Sequence, residues 1–239
     1  MKVLYNPTIN QSVFRSYSTN KTINNYNFYT TTSIFRDDLD WNGLMCLMSS
    51  KYNNTPKVNV ICHACSDGEE VYSLAMAIKN FYGKEADKFY PIIGKDIDKT
   101  NILLAKRANY NITKAELQRL EMYGGLDLYR YFHIYEDEYG FDKFAYPRNS
   151  LKENVYFHQA DILNDITNIP GENTVLLCRN FWPYLPAESQ VILAKALSEQ
   201  LKSSSLLILG GYDIKHGIGD LLKNNGFIQA TVKNVFQKV

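Results

Sequence analysis

The sequence has no apolar run long enough to cross a bilayer. A membrane-spanning helix needs roughly 18 or more consecutive apolar residues, and no stretch of this chain approaches that length. The N-terminal stretch MKVLYNPTINQS also lacks the apolar segment of a secretory signal peptide. These two absences predict a cytoplasmic protein without membrane insertion.

An excess of charge of one sign is also missing. The formal net charge is +1, and acidic and basic residues are mixed along the chain without a basic patch. Because proteins that bind nucleic acids usually carry such a patch, no nucleic-acid partner is expected. Hydrophobic residues make up 45% of the 239 residues, which predicts one globular domain with a full core.

Cysteines and histidines are too few and too scattered to suggest a metal site. Cys62 and Cys65 form a C-x-x-C pair, but no second pair and no nearby His-x-x-x-His accompany it. The pair ends a predicted strand instead of beginning a helix. It is therefore interpreted as two reduced thiols packed at a strand end.

Glycine is scarce where a dinucleotide site needs it. The stretch VNVICHACSDGEEVYSLAMAIKNFYG, Val58 to Gly83, runs from an apolar strand through a tight turn into an amphipathic helix. A pyrophosphate needs a glycine-rich turn, and only Gly68 is available here. Glu69 and Glu70 follow it. Acids in a first helical turn are common caps, so the turn alone leaves a capping role and a ligand-binding role open.

Strands and helices alternate through most of the chain. Apolar segments predict five central strands in KVNVICHAC, YPIIGKDID, NVYFHQADI, NTVLLCRNF and SSLLILGGYD, and a terminal pair of strands in FIQATVKNVFQKV. Helical spacing predicts helices in SIFRDDLDWNGLMCLMSSKY, EEVYSLAMAIKNFYG, KTNILLAKRANY, AESQVILAKALSEQLK and GIGDLLKNNGF. This alternation is typical of an α/β fold with a doubly wound Rossmann-like sheet, mostly parallel with an antiparallel C-terminal strand.

Two segments interrupt the alternation. Residues 1–33 are rich in Asn, Thr, Ser and Tyr and predict an irregular N-terminal arm before a main domain over residues 34–239. Residues 132–151 have strand-like aromatic spacing and predict a small β-subdomain.

Acidic residues follow successive predicted strands, at the edge where doubly wound sheets bind ligands. Asp96 ends the second strand, where a carboxylate can accept two hydrogen bonds from a ribose diol, and Asp98 is better placed to cap the next helix. Asp161 follows the third strand, where an adenine amino group can donate to it. With Glu69, these acids predict an adenosine ligand without pyrophosphate. S-adenosylmethionine fits, because its charged groups are an amine, a carboxylate and a sulfonium.

Several motifs resemble those of the CheR-type methyltransferases, which methylate glutamates of chemotaxis receptors. CHACSDGEEVYSLAMAI and LLCRNFWPYL are the most specific, and GKDIDKTNILLAKRANY, LYRYF, VYFHQADIL and YTTTSIFRDD are similar to further motifs in the family's order. The resemblance runs from about Tyr29 to the C-terminus. It implies a Rossmann-like methyltransferase fold that uses S-adenosylmethionine and a protein acceptor with a carboxylate side chain, such as a chemoreceptor.

The resemblance also implies site residues. By position, the methyl-donor site would include Thr32, Arg36, Glu69, Asp96, Asp161, Ile162, Asn180 and Phe181. Arg36 and Tyr184 would lie nearest the transferred methyl group, with Arg36 holding the acceptor or the donor carboxylate. Asn180 also has support from the residues alone, since it ends an apolar strand where a buried amide needs a partner.

The sequence departs from the family after the fifth strand, where GGYD stands in place of GHsE, and in its short, irregular N-terminal region. Three hypotheses therefore stay open: a methyltransferase acting on a protein carboxylate, a catalytically silent donor-binding sensor or partner module, and a methyltransferase acting on a small molecule. A carboxylate acceptor needs no general base, because it is ionised at neutral pH.

Overall fold

A computed structural model describes residues 21–23, 26–28, 32–125, 128–138, 140 and 142–239. Its strands are β1 Lys21–Ile23, β2 Tyr26–Phe28, β3 Asn59–His63, β4 Ile92–Asp96, β5 Tyr110–Ile112, β6 Phe132–Glu136, β7 Lys143–Pro147, β8 Val155–Gln159, β9 Thr174–Cys178, β10 Leu206–Ile208, β11 Phe227–Gln229 and β12 Val235–Lys238. Its α-helices are α1 Trp41–Lys51, α2 Glu69–Tyr82, α3 Lys99–Arg107, α4 Lys114–Gly124, α5 Leu128–Tyr131, α6 Asn149–Lys152, α7 Ile162–Asp165, α8 Ala187–Gln200, α9 Gly211–Lys215 and α10 Ile218–Asn224. Short 3-10 helices cover Gly83–Phe89, Ile166–Asn168 and Trp182–Tyr184.

The central sheet contains seven of the described strands in the order β11-β12-β10-β9-β3-β4-β8. The five strands from β10 to β8 pair in parallel, and β12 pairs antiparallel with both of its neighbours. The chain builds outward from β3 to β8 and then returns to β9, so its winding reverses between β3 and β9. This topology confirms the predicted doubly wound α/β fold with an antiparallel C-terminal strand.

Both faces of the sheet are covered by helices. On β9, Val175 and Leu177 pack in one apolar layer with α1 and α2, whereas Leu176 and Cys178 pack in the opposite layer with α8 and α10. Successive side chains of a strand point to opposite faces. A strand covered on both sides must therefore be apolar at every position, which explains the continuous run in β9.

A three-stranded antiparallel sheet stands apart from the central sheet, in the order β5-β7-β6. The strands β6 and β7 lie within the predicted β-subdomain at residues 132–151, and β5 lies outside it. The Tyr110 hydroxyl of β5 donates to the Asp67 carbonyl at 2.9 Å. This small sheet therefore contacts the turn that follows β3.

The predicted helix from Ser33 to Tyr52 is wrong in its start. Asp40 caps α1 by accepting from the Gly43 N–H at 2.9 Å, so the helix begins at Trp41. Phe35 has a φ of +45°, which a helix cannot contain. Ile34 and Phe35 are fully buried, but as anchors of a turn and not as one face of a helix. Arg36 consequently precedes the helix on which it was expected.

The predicted irregular arm lies mostly outside the described residues. Its described parts, β1 and β2, pair as a short antiparallel ladder that the sequence did not indicate. Along the described part of the chain, no helix combines the length and the apolarity required to span a bilayer.

Candidate active site

The turn after β3 adopts left-handed backbone conformations with only one glycine. Ala64 has a φ of +54°, Ser66 of +53° and Gly68 of +90°. Left-handed conformations cost roughly 1–2 kcal/mol for residues other than glycine, and such strain is found mainly at functional sites. Gly68 has a further constraint, because a Cβ there would lie 2.9 Å from the Phe157 ring.

Asp96 holds this turn against the end of β4. Its carboxylate accepts from the Ser66 N–H at 2.7 Å, from the Asp98 N–H at 2.9 Å and from the Asn101 amide at 3.2 Å. Asp98 caps α3 by accepting from the Thr100 N–H, as predicted. The Ser66 hydroxyl oxygen is buried and has no hydrogen-bond partner among the described residues.

Glu69 and Asp161 follow the strands on either side of β4. Glu69 is the first residue of α2 and is fully buried. Asp161 caps α7, where its carboxylate accepts from the Leu163 N–H at 3.0 Å and from the Asn164 amide at 2.8 Å. Because β3, β4 and β8 are neighbours in the sheet, the three predicted acids follow adjacent parallel strands at one edge.

Arg36, Asn180 and Tyr184 line a single cleft of about 540 Å³. Asn180 is half-buried, not buried as predicted, and its side-chain oxygen accepts from the Tyr212 N–H at 3.2 Å. The Tyr184 ring stacks on the Tyr212 ring, with centroids 5.7 Å apart. The Arg36 guanidinium makes no hydrogen bond to another described residue.

The backbone around Arg36 is fixed on several sides. The Trp41 indole donates to the Arg36 carbonyl at 3.0 Å, and the Phe35 N–H donates to the Ser73 hydroxyl at 2.9 Å. Glu116 accepts from the Ser33 hydroxyl at 3.0 Å and from the Ile34 N–H at 3.3 Å. The turn therefore presents Arg36 to the cleft from a rigid base.

Arg179 forms a buried fork between two carboxylates. One terminal nitrogen donates to Asp38 and the other to Glu70, and the guanidinium carbon lies 6.0 Å from the centre of the Trp41 ring. The Arg179 side chain is 1% exposed. A charge at such a site must be paired, because breaking a buried pair leaves an uncompensated ion.

The pKa values of the two carboxyl groups held by Arg179 are shifted in opposite directions. Burial raises the pKa of Asp38, but the charge of Arg179, a hydrogen bond from the Gly211 N–H and the charge of Arg36 together lower it below its ordinary value. At the more buried Glu70, burial outweighs Arg179 and Arg36, and the pKa is raised. Arg36 thus acts electrostatically on both acids without a hydrogen bond to either.

Asp213 supports the loop that carries Asn180. Its carboxylate accepts from the backbone N–H groups of Asn180 at 2.6 Å, Trp182 at 3.2 Å and Gly210 at 2.8 Å. Burial raises the pKa of Asp213 to about 6, against the opposing effect of these three N–H groups. It occupies the last position of the GGYD segment.

A second groove, of about 510 Å³, lies on one face of β3, β4 and β8. Beside it, Asp165 accepts from the Lys95 ammonium at 2.5 Å and contacts the His63 Nε2 at 2.9 Å. Burial lowers the pKa of His63 to about 4, although Asp165 opposes this shift. At neutral pH the His63 side chain is therefore neutral, and its Nε2 contacts Asp165.

The predicted residues fall into separate groups. Ile162 and Phe181 are buried in the same apolar layer, and Thr32 precedes Ser33, which is bound to Glu116. Sequence reasoning missed the roles of Ser66, Asp38 and Arg179. Of these three, only Arg179 could have been found from the sequence, because a cation directly after a fully apolar strand requires partners nearby.

The described cysteines are free thiols, as predicted for Cys62 and Cys65.

The residues at this edge suit S-adenosylmethionine. Carboxylates follow three adjacent strands, the buried hydroxyl of Ser66 can bond a ribose hydroxyl, and Arg36 can bind a carboxylate. Within the described residues, no cluster of His, Cys, Asp and Glu has the arrangement of a metal site. The fold thus places the protein in the doubly wound α/β class, with acidic side chains after adjacent strands and a cation in the neighbouring cleft.

Comparison with known proteins identifies the family. The family model described as CheR methyltransferase, SAM binding domain, matches residues 30–224. The chain belongs to this family, and its cofactor is S-adenosylmethionine. This confirms the resemblance and the Rossmann-like methyltransferase fold inferred from the sequence motifs.

Curated relatives agree with this assignment. The chain is 26% identical to Chemotaxis protein methyltransferase 1 of Pseudomonas aeruginosa, over 71% of the chain and 60% of that relative. It is 25% identical to the Chemotaxis protein methyltransferase of Listeria monocytogenes, over 86% and 71%. For the Campylobacter jejuni protein of that name the identity is 29%, over 66% and 55%. The chain thus spans little more than half the length of two of these relatives.

Proposed function

We propose that this chain transfers a methyl group from S-adenosylmethionine to a glutamate side chain of a protein acceptor, and that this acceptor is a chemoreceptor. Family membership and the relatives named as chemotaxis protein methyltransferases support the proposal. The observation that carries it is the cleft lined by Arg36, Asn180 and Tyr184. The Arg36 guanidinium in this cleft makes no hydrogen bond to another described residue, and the stacked rings of Tyr184 and Tyr212 form one wall.

The acids at the sheet edge receive the donor in this proposal. Glu69 accepts from the amine, Asp96 accepts from the ribose diol together with the Ser66 hydroxyl, and Asp161 accepts from the adenine amino group. Arg36 binds the donor carboxylate, as a charge-assisted hydrogen bond of the guanidinium. The remaining donor contacts come from Thr32, Ile162, Asn180 and Phe181.

The chain mainly has to orient the reactants. S-adenosylmethionine, when bound, supplies a methyl group that its sulfonium already activates. Arg36 and Glu69 fix one end of the donor, and the Tyr184–Tyr212 stack forms the wall along which the acceptor approaches. Orientation of this kind contributes roughly 7–11 kcal/mol. No general base is needed, because the acceptor carboxylate is already ionised, and His63 is engaged by Asp165.

The proposal is tested in two steps. Calorimetry with S-adenosylhomocysteine is expected to detect binding at the donor site. Incubation with methyl-labelled S-adenosylmethionine and a synthetic glutamate-containing helical peptide should produce label that alkali releases as methanol, and the matching glutamine peptide should not. Arg36→Ala should lower the transfer strongly without unfolding the protein. Donor binding without any base-labile label on glutamate peptides would exclude the carboxylate acceptor.

A further inference from the structure

Arg36 and Asp38 line the cleft, and Arg179 connects Asp38 to a second carboxylate, Glu70. Arg179 donates to both carboxylates, one from each terminal nitrogen. Arg36 lies close enough to influence the pKa of Asp38 and of Glu70, yet it forms no hydrogen bond with either. Two cations therefore compete for the same two acids, and Arg179 holds both of them.

We propose that Arg179 is a positioning residue whose fork occupies Asp38 and Glu70 and thereby leaves Arg36 available to bind a carboxylate in the cleft. Without the fork, one of these acids would turn to Arg36 and compete with the ligand. The inference rests on the proposed function, because it needs Arg36 to bind the donor carboxylate. Arg179 itself does not line the cleft, and carboxylates already occupy both of its terminal nitrogens.

The geometry of the guanidinium is essential to this role. Its planar fork can satisfy two carboxylates at once, whereas a lysine ammonium is a compact point charge without that fixed geometry. Arg179→Lys therefore keeps the charge but releases one acid toward Arg36. Asp38→Asn in the same background removes the released charge, and the ammonium then needs to hold only Glu70. The second substitution should thus reverse the effect of the first.

Calorimetry with two ligands separates this role from a general structural one. S-adenosylhomocysteine carries the amino-acid end, and 5′-methylthioadenosine keeps the nucleoside and lacks that end. Arg36→Ala and Arg179→Lys should each weaken S-adenosylhomocysteine binding by about tenfold, the value of one charge-assisted hydrogen bond. Both variants should bind 5′-methylthioadenosine within about twofold of the unmodified protein.

The double variant Arg179→Lys/Asp38→Asn is the decisive sample. It should regain S-adenosylhomocysteine affinity to within about threefold of the unmodified protein. Asp220→Asn, which breaks the exposed 2.9 Å pair with Lys223, is the matched control and should leave both affinities unchanged. Thermal unfolding of each variant checks that it is folded.

Three outcomes would overturn the inference. Arg179→Lys could bind S-adenosylhomocysteine normally, it could weaken both ligands equally, or the double variant could bind more weakly than Arg179→Lys. If the unmodified protein binds neither ligand, the proposed function fails, and the inference fails with it. If Arg36→Ala has no effect while both ligands bind, the donor site stands, but the assignment of Arg36 and this inference are wrong.

Discussion

The backbone N–H of Asn180 donates a 2.6 Å hydrogen bond to the buried carboxylate of Asp213. The two residues are 33 positions apart, and the hydrogen bond attaches the loop after β9 to the N-terminal turn of α9. The same carboxylate also accepts from Trp182 and Gly210. One side chain therefore holds the loop that brings Asn180 and Tyr184 to the cleft.

Asp213→Asn should destabilise the protein. An amide has one acceptor oxygen, so at least one of the three backbone N–H groups would face an NH₂ group and lose its partner. An unsatisfied buried donor costs about 1–3 kcal/mol. Urea unfolding should show a fall of that size in the free energy of unfolding, and the exposed Asp220→Asn substitution should show none. Equal stability of the two variants would contradict the role of Asp213.

Gly210→Ala should displace the Asn180 side chain, which lines the cleft, by steric overlap. A Cβ at this position would lie 1.9 Å from the Asn180 side-chain oxygen, while the backbone φ of −89° suits any residue. The expected loss of stability is about 1–3 kcal/mol, as for other overpacked sites, with weaker S-adenosylhomocysteine binding in calorimetry. Adding Asn180→Gly should restore stability, since it removes the overlapping amide and glycine accepts the φ of +60° there. No restoration would mean that the strain lies elsewhere.

His63 should lower the stability of the protein in mild acid, and Asp213 should oppose this effect. The folded-state pKa of His63, about 4, lies below the unfolded value of about 6.5. At His63 the unfolded chain therefore binds more protons, and this contribution lowers the free energy of unfolding as the pH falls from about 6.5 to about 4, by at most about 3 kcal/mol. The raised pKa of Asp213, about 6, contributes with the opposite sign, because the folded chain takes up that proton first. Denaturant titrations should show that stability at pH 4 relative to pH 7 is higher in His63→Gln than in the unmodified protein, and that the exposed His158→Gln matches the unmodified protein.

Glu116→Gln should loosen the segment that presents Arg36. The carboxylate bonds Ser33 and Ile34 on one oxygen and the N–H and hydroxyl of Thr113 on the other. An amide cannot accept at both positions, so residues 33–36 should exchange backbone hydrogens faster. Hydrogen exchange by mass spectrometry measures this directly. Glu121→Gln, on an exposed position of the same helix, should leave the exchange of this segment unchanged. Equal protection in both variants would remove Glu116 from this role.

The spacing of apolar residues was sufficient to predict the helices and strands whose ends are set by nearby residues in the sequence. The helix α2 begins at Glu69 and ends before Gly83 as predicted, and the apolar runs mark β3 and β9. The alternation of these elements was enough to predict the doubly wound sheet. The acids after β3, β4 and β8 could also be placed at one edge, because parallel strands end on the same side.

The site was harder to predict where long-range contacts override local spacing. The spacing of Ile34, Phe35 and Leu39 suits one face of a helix. However, Asp40 caps the helix, which therefore begins after these residues, and Ile34 and Phe35 are buried in the core from a turn instead. The pairing of Arg179 with Asp38 joins residues 141 positions apart, and no periodicity encodes it. Which of several nearby acids pairs with which cation depends on the packed structure. Ser66 was missed because a left-handed serine in a turn has no local sequence pattern.

The turn that carries Arg36 is tied to the far end of the chain. Asp38 accepts from the Gly211 N–H, 173 positions away, and its carbonyl accepts from the Asn234 amide, 196 positions away. Contacts of such separation form late, because closing long loops is entropically costly. A chain truncated before Asn234 would therefore keep the acids at the sheet edge but lose one anchor of the turn that carries Arg36. Such a truncated chain should hold the carboxylate end of a ligand weakly.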